Sequence, residues 1–185
     1  MDLACGSGVL INKYLNRRYK KLVGVDVSPK LINIANKSKN DNSVFIRANI
    51  TKFIDNEIKL KHKYDTVYML AILEHMMWPI DLINKVSQLI KKGGRLVIET
   101  PNAVWLPYRI SMLLGKFPVT AQTSGVIAGV YDEHIRFFTF KTLREVLEKN
   151  GLDFVKYDCS GKFGIIKRIF PSLFSPDIFL VYEKK

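Results

Sequence analysis

Sulfur and imidazole are scarce in this chain, with two cysteines and three histidines among 185 residues. Cys5 and Cys159 lie far apart and build neither a disulfide framework nor a metal quartet, so each reads as a small filler or a free thiol. No metal site is expected. No apolar run is long enough to span a bilayer, and no basic-then-apolar leader precedes a cleavage site, which makes a cytoplasmic protein the expectation. Acidic residues are also few, 17 against 29 Lys and Arg, for a net charge of +12. Such an imbalance raises the question of nucleic acid or an anionic membrane as partner. Most of the excess is lysine scattered beside isoleucine and asparagine, as in Lys37, Lys39, Lys59, Lys61 and Lys63. Base recognition favours clustered arginine and interleaved aromatics, so these lysines read as solvated faces, and nucleic acid is disfavoured. The tightest basic cluster, Arg17, Arg18, Lys20 and Lys21, is at best a site of phosphate attraction.

What is present is a chain with 48% hydrophobic residues, enough to bury the core of one domain over 1–185. It begins with Asp2-Leu3-Ala4-Cys5-Gly6-Ser7-Gly8, followed by Gly24-Val25-Asp26. A short apolar strand ending in an acid, then two glycines, then a helical pattern, is a strand-turn-helix unit whose backbone can approach a ligand closely. A dinucleotide fingerprint wants a small residue three positions after Gly8 for close helix-to-strand packing, and that position is Ile11. A nucleoside ligand with a free amino-acid end fits better. Asp2 can accept from its ammonium, the Gly6–Gly8 loop can lie against its carboxylate and ribose, and Asp26 can take the ribose hydroxyls. S-adenosylmethionine has that shape.

The motifs stand in order as DLACGSG, VGVDVSPKLINIA, VFIRANI, YDTVYMLAILEH and LIKKGGRLVIETPN. In that series the chain resembles the class I S-adenosylmethionine-dependent methyltransferases over almost its whole length. The resemblance implies an α/β, Rossmann-like, doubly wound fold, with a mostly parallel seven-stranded sheet and an antiparallel closing strand. It also implies cofactor contacts from Asp2, Ala4, Gly6, Ser7, Gly8 and Asp26, with Val27 flanking the adenine. Asn49 stands where relatives often carry aspartate and keeps a carbonyl acceptor for the adenine amino group. Ile50 would offer backbone, and Leu70, with Ala71, would face the sulfonium. TPNAVWLPYRISMLLGKFPVT and DEHIRFFTFKTLREVLEKNGL, with the pattern His134-Ile135-Arg136-Phe137-Phe138-Thr139, are similar to the small-molecule branch containing ubiquinone-biosynthesis and methionine-biosynthesis W-type proteins and methyltransferases encoded beside surface-glycan genes.

Local signals place the elements. The reading is a first strand ending by residue 4, a helix over 9–19, a strand over 21–27, and a helix from the Ser28 cap and Pro29 to about Ser38. Strands follow at 43–47 and 64–70, separated by a short irregular or helical piece. A helix over 80–91 ends at Gly93-Gly94, a strand runs from Arg95 to Thr100, and Thr139 caps a helix from Lys141 to Asn150. Residues 152–158 and 177–183 supply the closing antiparallel pair. Because Met1 directly precedes Asp2, the first strand is shortened and the family's preceding helix is missing, so a fragment or a start codon assigned too late is expected.

Methyl transfer to a hydroxyl needs a group that removes a proton, and histidine titrates in the right range. His134 and His75 are the candidate bases. Glu74, Trp105, Tyr108 and Arg136 are the candidate acceptor-side residues, Arg136 as a holder of an acid group or a loop carboxylate. The insertion at about 102–135 reads as a lid, with a short helix over Val104–Leu114 and a hinge over 120–129. Docking of that helix on a membrane, with Arg109 and Lys116, is the alternative. The resulting expectation is methyl transfer to a small metabolite or a glycan- or lipid-linked precursor, at oxygen before nitrogen or carbon. The rivals are a nucleic-acid (RNA) methyltransferase and a non-catalytic interaction protein. The first is disfavoured because Leu70-Ala71-Ile72-Leu73 is no Asn-Pro-Pro-Tyr-like base clamp. Sequence assigns no oligomeric state.

Overall fold

A computed structural model of the chain describes residues 1–116, 134–159 and 165–185. The expected hinge over 120–129 lies outside the described residues. In chain order the elements are β1 (Asp2–Leu3), a π-helical segment (Leu10–Leu15), β2 (Leu22–Asp26), α1 (Pro29–Lys37), β3 (Ser43–Arg47), α2 (Ile50–Lys59) and β4 (Tyr64–Leu70). A single 3-10 turn (Leu73–His75) leads to α3 (Pro79–Leu89), β5 (Ile90–Pro101), α4 (Leu106–Leu113), α5 (Phe140–Lys149), β6 (Leu152–Asp158), α6 (Ile166–Ile169), α7 (Pro171–Phe174) and β7 (Asp177–Lys184). The sheet has seven strands in the order β3-β2-β1-β4-β5-β7-β6. Strands β1 to β5 pair in parallel, and β7 runs antiparallel to both β5 and β6. This is the doubly wound α/β architecture that the alternation of strands and helices predicts.

Period-two alternation decides which side chains go to which face. Val67, Met69, Leu96, Ile98, Leu180 and Tyr182 point into the larger core, where Ile54 of α2, Leu82, Ile83 and Val86 of α3, and Leu143 and Leu147 of α5 cover them. Cys5, Ile11, Leu15, Leu22, Ile32, Ala35 and Phe45 form a smaller core under the π-helical segment and α1. On that second face a groove of about 590 Å³ borders Tyr19, Thr66, Tyr68, Arg95, Val97 and Val181. Tyr19 dresses the groove with hydrogen bonds, its hydroxyl 3.0 Å from that of Tyr68 and 3.3 Å from Thr66 Oγ1.

Several elements depart from the sequence reading. The helix expected over 9–19 is π-helical and stops at Leu15. Asn16 N donates to Ile11 O, five residues back, and the chain leaving the segment is held by Asn42 Nδ2, which donates to the carbonyls of Asn16 and Tyr19 at 2.8 Å each. The short irregular or helical piece after β3 is helical and ten residues long, α2, capped by Asn49, whose side chain accepts from Lys52 N at 3.2 Å. α3 ends at Leu89 and β5 starts at Ile90, because Ile90 already pairs with Tyr64 and the glycines sit in a register shift between Tyr64 and Thr66. α6 and α7 lie in a stretch the sequence reading left unassigned.

Among the described residues no helix is long and apolar enough to cross a membrane. α5 begins with a reciprocal box: Thr142 N donates to Thr139 Oγ1 at 3.1 Å, and Thr139 N donates to Thr142 Oγ1 at 3.0 Å. The box fixes the chain that carries His134 to Phe138 into the sheet's carboxyl edge. Thr139→Ala should therefore lower stability by about 0.5–2 kcal/mol, read from the urea midpoint at unchanged slope.

Candidate active site

The carboxyl ends of β1, β2 and β4 meet at one edge of the sheet, since Leu3 pairs with Val25 on one side and Met69 on the other. Beyond Leu3 the backbone turns sharply. Ala4 has φ of 61°, Cys5 N donates to Val25 O at 3.0 Å, and Gly8 N donates to Cys5 O at 2.9 Å. Gly8, at φ of 74°, packs so closely that a Cβ there would lie 2.7 Å from Phe45 Cζ and 2.9 Å from Ala35 Cβ. At Gly6 the same construction meets nothing, so the first glycine borders open space while the second is fastened to the core. The Asp26 carboxylate joins the turn to the next helix. Its Oδ2 accepts from Gly6 N at 2.9 Å and its Oδ1 accepts from Ser28 N at 2.8 Å, just before α1. Val27 beside it is 62% exposed.

Asp2 is 3% exposed, and its carboxylate accepts no hydrogen bond from the described residues. Burial and the nearby Asp26 charge push its pKa up to about 7 against the pull of the Met1 ammonium. The same burial, with Asp2 and Asp26, pushes the Cys5 thiol up to about 12, which makes it an inert filler. Ala4, Ser7, Ile50 and Leu70 are half-buried around this edge, and Ala71, at φ of 50°, repeats the left-handed backbone of Ala4 at the end of β4. Left-handed φ in two non-glycine residues at adjacent strand ends is local strain of the kind held at ligand sites. Of the adenine-side candidates, Asn49 caps α2, its side-chain oxygen accepting from Lys52 N.

On the acceptor side the structure brings together residues far apart in sequence. Glu74 is 1% exposed, and its Oε2 accepts from Thr100 Oγ1 at 3.0 Å. Its backbone carbonyl accepts from Ile135 N at 2.8 Å and Arg136 N at 3.1 Å, stapling the segment before α5 to the turn after β4. The staple sets His134 against His75, with ring centroids 4.7 Å apart in an edge-on arrangement. Donor atoms of Glu74, His75 and His134 all lie within 4.8 Å of one another. Arg136 is turned elsewhere. Its guanidinium donates to Met77 O at 2.7 Å and Ile135 O at 2.9 Å, so it holds loop carbonyls. Trp105 and Tyr108, at the start of α4, meet edge-on at 5.1 Å.

Sequence reasoning missed Thr100, Glu99 and Asn102. Burial, together with Asp177 and Glu74, pushes Glu99 up to about 7. Asn102 ties β5 to α7 through Nδ2, which donates to the carbonyls of Ser172 and Ser175. The TPN run that ends β5 was the available signal, a strand end rich in small polar side chains.

Raised ionisation of Asp2 has a defined sign. The unfolded side chain ionises near 3.8 and the folded one near 7, so between these values the folded state binds more protons and stability falls as pH rises. Asp2→Asn removes that slope. Relative to the parent, the variant should gain stability from about pH 4 to about pH 7 and hold the gain above, read from urea midpoints along the pH series.

Comparison with known proteins adds an independent line. A family model described as a methyltransferase domain matches residues 1–157. A ubiquinone biosynthesis O-methyltransferase of Xylella fastidiosa is 23% identical over 125 residues, covering 68% of this chain and 50% of that protein. The mitochondrial ubiquinone biosynthesis O-methyltransferase of Dictyostelium discoideum is 30% identical over 130 residues, covering 62% of this chain and 38% of that protein. The chain thus spans half or less of the length of these relatives. Among solved structures, a putative S-adenosylmethionine dependent methyltransferase from Listeria monocytogenes superposes with a TM-score of 0.68 at 16% identity, covering 100% of this chain and 89% of the other. One from Mesorhizobium loti gives 0.66 at 16% identity, covering 99% and 89%. At such identity the superpositions establish the fold.

Proposed function

The chain belongs to the methyltransferase domain family, and on that premise we propose that it moves the methyl group of S-adenosylmethionine to an oxygen of a small metabolite or a glycan- or lipid-linked precursor. The observation that carries this reading is the Asp2 carboxylate, buried at 3% exposure with no hydrogen-bond donor among the described residues, beside a glycine turn open at Gly6. Burying a carboxylate without a partner costs free energy, and an arriving ammonium recovers it. The residues present fit the cofactor. Asp2 holds its ammonium. Gly6, Ser7 and Gly8 lie along its carboxylate and ribose. Asp26 keeps a lone pair on each oxygen for the ribose hydroxyls. Val27, Asn49 and Ile50 flank the base, and Ala4, Leu70 and Ala71 border the sulfonium.

When bound, S-adenosylmethionine supplies a methyl carbon already activated by its sulfonium. Much of the acceleration then comes from positioning and exclusion of water, which the wall of Trp105 and Tyr108 serves. The acceptor hydroxyl must also lose its proton, and we assign that task to His134 with His75 beside it. The named activity of the two relatives, O-methylation, supports oxygen as the acceptor atom.

Calorimetry with S-adenosylmethionine should give saturable binding that Asp26→Ala weakens by about 1–3 kcal/mol, the cost of a lost charged hydrogen bond. Equal affinity in both proteins removes Asp26 from the site, and preference for NAD removes the cofactor assignment. With an acceptor in hand, His134→Ala should lower the turnover number by about two to four orders of magnitude at unchanged cofactor affinity. An unchanged turnover number returns His134 to a structural role.

A further inference from the structure

We propose that Glu74, His75 and His134 form a binding site for one divalent transition-metal ion, Zn²⁺ in preference to Mg²⁺, at the mouth of the cleft. Three features of the cluster lead there. The first is its donor set: two imidazoles and one carboxylate, with donor atoms within 4.8 Å of one another. An ion of this class sits about 2.0–2.2 Å from each such donor, so the donors must draw together around it, and the His75 side chain is exposed. Three protein ligands leave coordination positions open, the arrangement of reactive rather than purely structural sites.

The second feature is the support behind the donors. Metal-binding carboxylates are oriented by further hydrogen bonds, and Glu74 Oε2 accepts from the buried Thr100 hydroxyl at 3.0 Å. The staple from Ile135 N and Arg136 N to Glu74 O holds the His134 segment at this turn through backbone, so two of the three ligands are positioned before any ion arrives. The third feature is charge. Although the protein carries +12 overall, Glu74 places a buried carboxylate at this edge, and Glu99 precedes its partner Thr100 in sequence. Arg136, the cation nearest in sequence, is committed to the carbonyls of Met77 and Ile135.

The donor chemistry selects the ion. Imidazole suits zinc and its neighbours, whereas Mg²⁺ prefers oxygen ligands and its own water shell. The role of the ion, unlike its binding, rests on the methyl-transfer reading. In a metal-loaded chain the ion would lower the pKa of an acceptor hydroxyl at its open position and the proton would pass to solvent; in the metal-free chain His134 keeps the base role assigned above.

The test reads the metal alone, with neither S-adenosylmethionine nor acceptor present, so it stands apart from the cofactor assignment. The full chain is titrated with ZnCl₂ by calorimetry and with CoCl₂ by visible absorption, in parallel with His75→Ala, His134→Ala and Cys159→Ala. Expected are one site per chain, affinity weakened about tenfold to a hundredfold or more in each histidine variant, no loss in Cys159→Ala, and no displacement by excess MgCl₂. His75→Ala carries the test if His134→Ala does not fold, because the His75 side chain is exposed. Absence of saturable binding, binding undiminished in His75→Ala, or a thiolate charge-transfer band with Co²⁺ would overturn the proposal.

Discussion

The two hydrogen bonds accepted by Asp26 are the constraint on which the site depends. One carboxylate at the end of β2 receives Gly6 N from the turn after β1 and Ser28 N from the entry to α1. It thereby sets the spacing between two strand-to-helix connections that no backbone ladder joins. The remaining turn bonds, Cys5 N to Val25 O and Gly8 N to Cys5 O, complete a backbone loop with little freedom. Gly8 wedged against Phe45 and Ala35 then transmits the position of the turn into the smaller core. The left-handed backbone at Ala4 and Ala71 is tolerable because these surroundings over-determine it.

Elements with strong local signals were legible in the sequence. α1 follows from Ser28 and Pro29, α5 from Thr139, and β3, β4 and the β6–β7 pair from their apolar runs; each stands where it was read, within a residue or two. The failures share a cause, which is that tertiary partners decide them. The π-helical segment ends early because Asn12, Asn16, Asn40 and Asn42 weave it to the turns around α1 and β3. The asparagines of this stretch thus form a hydrogen-bonding lattice. α2 was read as a short irregular or helical piece, although an asparagine before an apolar periodic stretch is a readable cap signature.

The candidate site divides along the same line. Its cofactor side is contiguous in sequence, so Asp2, the glycines and Asp26 could be named from spacing alone. Its acceptor side is assembled by the carbonyl of Glu74, which gathers a segment from far along the chain. No spacing rule shows that His134 stands beside His75. Arg136 illustrates the limit: its charge suggested an acidic partner, while among the described residues its guanidinium donates to the carbonyls of Met77 and Ile135.

The brevity of β1 has a mechanical consequence. In this chain the halves of the sheet, β2–β3 and β4–β7, are joined through a strand of two residues, each pairing once to either side. Such a seam is where a sheet opens first, since few ladder bonds must break and subglobal openings follow the weakest boundary. The proposed ligand contacts lie along that seam, from Asp2 and the glycine turn to Asp26 on one flank and Leu70 on the other. An occupant held by both flanks would act as a rivet, and amide protons of β1 and β2 would then exchange more slowly when it is present.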